Sequence, residues 1–322
     1  MSHSFAMTTW LSYLRVPFLA SSAFATLGTG LLYFKQNEII YPRNMPAGSR
    51  AGEPTPRDFG IENAESIHLP TPDGETLHAY ILHPKPSQPR KPITVLCFHG
   101  NAGNIGHRLP IGRVISDSLG CTAFMLEYRG YGLSTGDPDE CGLTIDAQTA
   151  LNYIRKSPDF KNTKLVVYGQ SLGGAVAIKL VEANQHRGDI KGLILENTFT
   201  SIRNMIPSIV PMAKYFVRLC HQYWTSEEVL PKIAADIPVL FLSGLKDEIV
   251  PPRMMKVLFD ISKAERKVWK AFPNGDHNAT VAQPGYFDSI WNFIIEEVMH
   301  DKNQKGTLDF EQAEVDPDWS WN

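Results

Sequence analysis

The sequence predicts an α/β fold: a doubly wound, mostly parallel sheet of eight strands with helices on both faces. Short apolar runs alternate with helix-like stretches along residues 61–300. The central runs, such as 93–98, are apolar almost throughout, as in strands that are buried on both faces of a parallel sheet. A chain of 322 residues with 43% apolar content is also large enough to enclose one such core.

The individual elements follow from the apolar period of each segment. Strands are expected at 65–69, 77–82, 93–98, 122–128, 164–168, 191–196, 238–243 and 267–272. Helices are expected at 106–118, 143–156, 172–186, 252–262 and 285–300. Pro72-Asp73-Gly74 predicts a hairpin turn, so the first two strands should be antiparallel at one edge of the sheet. The later alternation of strand and helix implies parallel strands with right-handed crossovers.

Both ends of the chain are expected to lie outside this domain, which we place at 61–300. Val16–Phe34 contains no charged side chain, and its 19 residues are just enough for a helix to cross a bilayer. We therefore expect a membrane anchor at 1–35. The alternatives are a cleaved signal peptide and a helix that packs on the domain or lies in the membrane interface. Residues 36–60, rich in Pro, Gly and Arg, are expected to form a linker or extended arm, and the acidic segment 301–322 a disordered tail.

The composition argues against several classes of function. The formal net charge is −3 and no stretch is rich in Lys and Arg, so we expect no nucleic-acid partner. The ten histidines and four cysteines show none of the spacings of a zinc site, so we expect neither a metal nor another cofactor. The cysteines also lack the paired spacing of a disulfide framework.

One glycine-rich turn carries the strongest indication of chemistry. Strand 164–168 is followed by Gly169-Gln170-Ser171-Leu172-Gly173-Gly174 and then by an apolar helix. This order is that of a nucleophile elbow, in which small flanking residues allow a tight turn that lifts the serine hydroxyl above the sheet edge. Ser171 is therefore the predicted nucleophile. The same Gly-x-Ser-x-Gly pattern at 132–136 is followed by Asp137-Pro138 and no helix, so it is interpreted as a loop.

A serine hydroxyl is a poor nucleophile at neutral pH and needs a base within hydrogen-bond reach. In enzymes with a nucleophile elbow, the order along the chain is serine, acid and then histidine, and the histidine base lies in a loop after a strand. His277 meets both conditions, because it follows strand 267–272 in a turn-rich loop. His300 lies at the end of the last predicted helix and is interpreted as a solvated helix-end residue. His277 is therefore the predicted general base.

The acid that orients the base has more candidates. Asp247 follows strand 238–243, in the loop next to the one that carries His277, and is the predicted acid. Glu196, at the end of the preceding strand, remains the main rival. Asp276 is the neighbour of His277 in sequence and could not easily reach its ring. The expected role of Asp247 is to fix the tautomer of the imidazole and to stabilise the imidazolium.

Acyl transfer also needs donors for the tetrahedral oxyanion. The backbone N–H of Leu172, directly after the nucleophile, is the first expected donor. The second is the N–H of Asn101, in the glycine-rich loop that follows strand 93–98. His99 begins this loop and is expected to brace it rather than to act as a second base.

These motifs together resemble the membrane-anchored α/β-hydrolase-domain family. That family includes fungal bud-emergence-type hydrolases, plant WAVY GROWTH proteins and mammalian α/β-hydrolase-domain-containing protein thirteen. The resemblance extends over most of the chain and is carried by Tyr41-Pro42, Pro72-Asp73-Gly74, Phe98–Asn104, Tyr128–Gly132, Gly169–Gly174, Glu196–Phe199 and Pro273–Asn278. It implies the α/β-hydrolase fold, a single-pass membrane anchor and serine-hydrolase chemistry. Some related branches remove palmitate from proteins, although this chain lacks their Cys-rich N-terminus.

The expected function is hydrolysis of acyl esters or thioesters, of a lipid or of a lipidated protein, at the endoplasmic reticulum or plasma membrane. A short cap at 200–235 contains Met and aromatic residues. These residues either receive the acyl chain or simply pack on the sheet. Two other functions stay open: a serine peptidase with the same triad, and a catalytically silent scaffold that binds partners at a membrane. Substrate assays would distinguish a peptidase from an esterase. Loss of a triad or oxyanion element would indicate the silent scaffold.

Overall fold

The computed structural model describes Leu19 and residues 26–300. An eight-stranded sheet lies at its centre, in the spatial order β1-β2-β4-β3-β5-β6-β7-β8. The strands are Ala64–Pro70 (β1), Thr76–Leu82 (β2), Ile93–Phe98 (β3), Thr122–Leu126 (β4), Lys164–Gln170 (β5), Ile190–Glu196 (β6), Val239–Gly244 (β7) and Lys267–Phe272 (β8). β2 pairs antiparallel with β1 and β4, and β3 to β8 pair in parallel. The predicted α/β architecture is confirmed.

Helices lie on both faces of this sheet. They are 26–40 (α1), Leu109–Arg113 (α2), Glu140–Lys156 (α3), Leu172–Asn184 (α4), Ile202–Ile209 (α5), Ser226–Val229 (α6), Pro252–Ile261 (α7) and Tyr286–Phe293 (α8). α2 and α8 continue as turns of π-helix, Val114–Ser118 and Ile294–Val298. Each of the five predicted helices therefore has a counterpart. The segment 200–235, which connects β6 to β7, contains α5, α6 and several 3₁₀ turns.

The side chains of the central strands alternate between two apolar cores. Leu96 and Phe98 of β3 pack in the core formed with α3, α4 and α7. Val95 and Cys97 pack in the opposite core, with α2 and α8. Neither face of β3 meets water, which is why the strand is apolar at nearly every position.

The predicted hairpin turn joins β1 to β2. Gly74 has φ +98°, a conformation that glycine adopts without steric cost. Arg129 Nη1 lies 2.7 Å from Asp73 Oδ2, and Arg129 Nη2 lies 2.8 Å from Asp146 Oδ1. The hydrogen bonds from the Arg129 guanidinium lower the pKa of the Asp73 carboxyl to about 2. This ion pair therefore ties the hairpin turn to the end of β4 and to α3.

The segment 36–60 departs from the expected linker. Helix α1 continues to Ile40, so residue 36 is not a structural boundary. Tyr41 is buried, accepts a 2.9 Å hydrogen bond from Trp224 Nε1 and donates one of 2.7 Å to Gln222 Oε1. Residues 41–60 contain turns and bends and one 3₁₀ turn, Pro56–Phe59. The buried Tyr41 nevertheless fixes the segment against the domain.

The predicted anchor and tail fall largely outside the described residues. Of 1–35, the structure describes Leu19 and 26–35, and the helical part exposes Leu27, Leu31 and Phe34. The tail 301–322 lies wholly outside. Within Leu19 and 26–300, no helix combines the length and apolar character needed to cross a bilayer.

Candidate active site

Ser171 stands on a sharp turn between β5 and α4. Its backbone has φ 52° and ψ −116°, a combination that side-chain-bearing residues rarely adopt. A Cβ atom on Gly173 would lie 2.1 Å from the Phe98 carbonyl oxygen, and one on Gly169 would lie 2.1 Å from the Gly173 oxygen. Only glycine fits at these two positions. The pattern Gly-x-Ser-x-Gly is therefore required by the close approach of β3, β5 and α4.

The end of β6 holds this turn in its strained conformation. The Ser171 N–H donates to the Glu196 carbonyl at 2.8 Å, and Thr198 Oγ1 donates to the Ser171 carbonyl at 2.7 Å. The N-terminus of α4 points at the same place, which favours negative charge near the serine hydroxyl. The turn that presents the hydroxyl is thus held by the last residue of β6 and by the Thr198 side chain just beyond it.

Three side chains from three loops meet in one hydrogen-bonded row. His277 Nε2 lies 3.0 Å from Ser171 Oγ, and His277 Nδ1 lies 2.7 Å from Asp247 Oδ2. The other oxygen of Asp247 accepts the N–H groups of Ile249 and Val250 at 2.9 and 2.8 Å. Since a carboxylate accepts hydrogen bonds, Nδ1 carries the proton and Nε2 is free to accept one from the serine. The structure brings together the three residues singled out from the sequence.

The rival acids have other partners. The Glu196 carboxylate is buried and accepts hydrogen bonds from the Tyr168 hydroxyl and, at 2.6 Å, from the Tyr286 hydroxyl. Burial in this setting raises the pKa of Glu196. Asp276 Oδ1 accepts the backbone N–H groups of Asn278 and Ala279 at 2.9 and 2.7 Å. The hydrogen bond to His277 Nδ1 is made by Asp247.

Two further sequence features also have structural partners. His99 is buried, and its Nδ1 donates to the Gly100 carbonyl at 2.7 Å. Its Nε2 lies 3.0 Å from Glu127 Oε1. It therefore braces its loop. Ser134, in the second Gly-x-Ser-x-Gly pattern, is buried in the loop after β4. Its hydroxyl donates to the Glu127 carbonyl at 2.9 Å and accepts the His78 N–H at 2.9 Å.

A cavity of about 910 Å³ opens above the hydrogen-bonded row. Its walls come from α1, the 41–46 turn, α5 and the 3₁₀ turns that follow α5. Most lining side chains are apolar, and the ionisable ones apart from His277 are Arg108, Cys220 and Glu248. Among Leu19 and 26–300, no group of three or more His, Cys, Asp or Glu side chains is placed to hold a metal ion. The cavity has the size and apolar lining of a small-molecule site.

Asn101 and Leu172 line this cavity together with Ser171. Asn101 is held by both its side-chain atoms: Oδ1 accepts the Tyr131 hydroxyl at 2.8 Å, and Nδ2 donates to the Ile40 carbonyl. Leu172 is the first residue of α4, and the first N–H groups of a helix have no intrahelical acceptor. The end of α1 therefore helps to fix the loop that carries one of the two expected oxyanion donors.

Two other parts of the site could not be identified from sequence motifs. Arg108 is buried and lines the same cavity as Ser171, and a Cβ on Gly100 would lie 3.7 Å from both Arg108 Nη2 and Ser171 Cβ. Burial lowers the pKa of Arg108 to about 10. Arg108 ends a 3₁₀ turn, Ile105–Arg108, and no motif in the sequence marks a single arginine there. Leu32 and Gln36 of α1 also line the cavity, within segments predicted as anchor and linker.

The sheet order, the strained elbow and the hydrogen-bonded row define an α/β-hydrolase. A family model described as "Serine aminopeptidase, S33" matches residues 89–236. Protein bem46 of Schizosaccharomyces pombe is 48% identical over 279 residues, covering 86% of this chain and 92% of that protein. The Arabidopsis thaliana α/β hydrolase domain-containing protein WAV2 is 35% identical over 313 residues, covering 92% and 99%. The chain belongs to this bem46 and WAV2 family of α/β-hydrolases.

Solved structures share the same fold at low sequence identity. An α/β hydrolase from Vibrio vulnificus superposes with a TM-score of 0.66 at 19% identity, covering 79% of this chain and 91% of that chain. An esterase from Pyrococcus furiosus gives 0.58 at 16% identity, covering 77% and 96%. At this identity the likeness concerns the fold alone.

Proposed function

We propose that this chain is a membrane-anchored serine hydrolase that cleaves ester or thioester bonds of acyl substrates. The observation that carries the proposal is the row of hydrogen bonds from Ser171 Oγ through His277 to Asp247, beneath a largely apolar cavity. Nucleophile, base and orienting acid are within reach of one another without any rearrangement.

The first half of the reaction acylates the serine. Ser171 Oγ attacks the carbonyl carbon while His277 Nε2 takes the hydroxyl proton. The N–H groups of Leu172 and Asn101 then stabilise the negative charge on the carbonyl oxygen. As the bond to the leaving group breaks, the imidazolium returns its proton to the departing alcohol or thiol. Asp247 stays ionised and stabilises the imidazolium throughout.

The second half releases the acyl group. His277 takes a proton from a water molecule, whose oxygen attacks the acyl carbonyl of the ester on Ser171. The tetrahedral intermediate uses the same two N–H donors. As it collapses to a carboxylic acid, the His277 imidazolium returns its proton to the departing Ser171 Oγ. No cofactor is required by either half.

The lining of the cavity favours a long acyl chain. Met205, Ile206 and Phe216 contribute flexible and aromatic surface above the serine. A volume of about 910 Å³ is at the upper end of the range for small-molecule sites. The acyl donor is therefore proposed to be a lipid ester or a lipidated protein.

The proposed anchor is the uncharged stretch 16–34. A Saccharomyces cerevisiae relative, 41% identical over 275 residues and matched over 85% of this chain and 94% of its own length, is named an uncharacterized membrane protein. An anchored enzyme would meet acyl substrates at a membrane surface, at the endoplasmic reticulum or plasma membrane.

The proposed activity is tested with a panel of esters and thioesters of increasing acyl length. We expect hydrolysis of both linkages, with kcat/KM rising with chain length until the cavity is filled. Ser171→Ala should lower turnover by at least about a thousandfold. A folded protein that hydrolyses no member of the panel would contradict the proposal.

A serine peptidase is the second candidate, because the matching family model bears the name of an aminopeptidase. Glu248, at the edge of the cavity, offers a carboxylate that could bind a free α-amino group. An aminoacyl amide panel separates the two functions. Amide cleavage that exceeds ester cleavage and is lost in Glu248→Gln would favour the peptidase.

A further inference from the structure

We infer that α1 and the segment 205–216 form one membrane-contact face around the mouth of the catalytic cavity, so that the acyl chain enters the site directly from the bilayer. The inference rests on the proposed function and deepens it. It makes the substrate an acyl ester or thioester that resides in the membrane. It also assigns the segment 205–216 a contact with lipid, in addition to that of the anchor.

The mouth of the cavity is bordered by apolar side chains that are also exposed. Leu32 and Ile39 of α1, together with Ile209, Val210 and Phe216, line the cavity. Their exposed fractions nevertheless range from 36% to 65%. Side chains that line a pocket and face solvent at once form a rim. Here the rim is apolar on both sides of the opening.

The apolar surface continues outward from this rim. Met212 and Tyr215 are 70% and 69% exposed and do not line the cavity, and Phe34 on α1 is 82% exposed. From Arg203 to Leu219 no residue is buried. Soluble proteins seldom leave large contiguous apolar patches exposed, and such a patch marks an interaction site.

Helix α1 and the segment 205–216 are joined into one surface by the residues that directly follow the segment. Gln36 Nε2 donates to the Leu219 carbonyl at 3.2 Å, and Gln36 Oε1 accepts the His221 N–H at 2.8 Å. The rings of Tyr33 and His221 meet edge to face, 5.1 Å apart. An orientation imposed on α1 is therefore imposed on the neighbouring segment as well.

The connectivity of the chain selects a bilayer as the occupant. α1 is preceded by more of the uncharged stretch 16–34, so the apolar chain continues on the N-terminal side of the exposed face. An apolar segment of this kind partitions into lipid. Since α1 and the segment after β6 are joined, the mouth between them would then face the membrane surface.

The charges around the face suit an anionic membrane. Residues 200–222 contain Arg203, Lys214 and Arg218 but no Asp or Glu. On α1, the acidic Glu38 is paired with Lys35, so this helix adds no net charge to the face. Basic residues interleaved with exposed apolar ones are typical of segments that lie in the headgroup region. The proposed occupant is therefore a bilayer that contains anionic phospholipid.

The test uses a fluorescent probe on the full chain. Cys141 is exposed whereas Cys97, Cys121 and Cys220 are buried, so Cys141→Ser gives a background for labelling one new cysteine. An environment-sensitive fluorophore is attached to Met212→Cys and, as a control, to Leu133→Cys. Leu133 is 54% exposed and lies in the loop after β4, outside the cavity lining.

Both proteins are reconstituted in vesicles of phosphatidylcholine with 30% phosphatidylserine. We expect a blue shift and quenching by lipid-attached nitroxides for the probe at 212, and neither for the probe at 133. A probe at 212 that shows neither a blue shift nor quenching overturns the inference. The exposed apolar patch would then be assigned to a protein partner. Labelling of Ser171 by a fluorophosphonate on the same vesicles reports on the proposed function separately.

A kinetic measurement supplies the second arm. Met212→Asp with Tyr215→Asp should lower hydrolysis of a vesicle-embedded long-chain ester about tenfold, because two charges must enter the interface. Hydrolysis of a water-soluble short-chain ester should change less than twofold, and Leu133→Asp should affect neither. Equal loss on both esters, or loss on neither, would contradict a membrane route to the site.

Discussion

Asp247→Asn tests which carboxylate orients His277, the proposed general base. Asp247 accepts three hydrogen bonds: Oδ2 from His277 Nδ1, and Oδ1 from the N–H groups of Ile249 and Val250. Asparagine has one acceptor oxygen and one donor NH₂ group. The two backbone donors require the oxygen on their side. The NH₂ group must then face Nδ1 of the imidazole.

The expected loss follows from the tautomer of His277. Facing an NH₂ donor, Nδ1 must accept, so the ring proton moves to Nε2. Nε2 lies 3.0 Å from Ser171 Oγ and can then no longer take its proton. Loss of the correct tautomer lowers kcat by about 10⁴, or about 5.4 kcal/mol of transition-state stabilisation. The fold should survive, because the replacement keeps the shape of the side chain.

The assay compares kcat for a short-chain ester in Asp247→Asn and in the matched variant Glu196→Gln. Glu196 accepts hydrogen bonds from Tyr168 and Tyr286, which an amide oxygen also accepts. We expect Glu196→Gln to lose less than about tenfold. Thermal melts check that both variants are folded. If Glu196→Gln lost about 10⁴ while Asp247→Asn retained activity, the assignment of the acid would be wrong.

Three further variants test other parts of the account. Gly173→Ala places a Cβ 2.1 Å from a backbone oxygen. It should lower the free energy of unfolding, measured by urea titration, by at least about 3 kcal/mol. The control Gly52→Ala has no atom within 4 Å of its new Cβ and should change this free energy by less than about 1 kcal/mol. Asp73 has its pKa lowered from 3.8 to about 2, so it stabilises the fold above pH 4 and loses this effect as the pH falls to 2. The difference in stability between wild type and Asp73→Asn should therefore shrink over that range, and a constant difference would refute the ion pair. Ile206→Trp narrows the cavity and should lower kcat/KM for long acyl chains about tenfold relative to short ones, and an unchanged chain-length profile would place the acyl chain elsewhere.

The central strands of the sheet were predictable because they are buried on both faces. Strand β3, for example, matches its predicted range 93–98, since its apolar run ends sharply at the glycine-rich loop. Strand β4 was predicted two residues too long, at 122–128. Glu127 and Tyr128 are buried beyond the last paired residue, so their burial resembles that of a strand although their backbone leaves the ladder.

Ser171, Asp247 and His277 could be singled out from the sequence because the proposed chemistry needs fixed residue types at the ends of strands. The walls of the cavity could not. Leu32 and Ile39 are exposed apolar residues that line the cavity from α1. An apolar helix has the same composition whether it faces lipid, a pocket or both. Tyr41 showed no periodic pattern, and its burial depends on hydrogen bonds to residues more than 180 positions away.

The most direct test of the central claim is covalent labelling of the serine. A fluorophosphonate probe reacts with a serine hydroxyl that an adjacent base has activated. Native protein should be labelled, with the adduct mapped to Ser171 by mass spectrometry, and labelling should disappear in Ser171→Ala. Well-folded native protein that is not labelled, or that is labelled at another residue such as Ser134, would contradict the proposed active site.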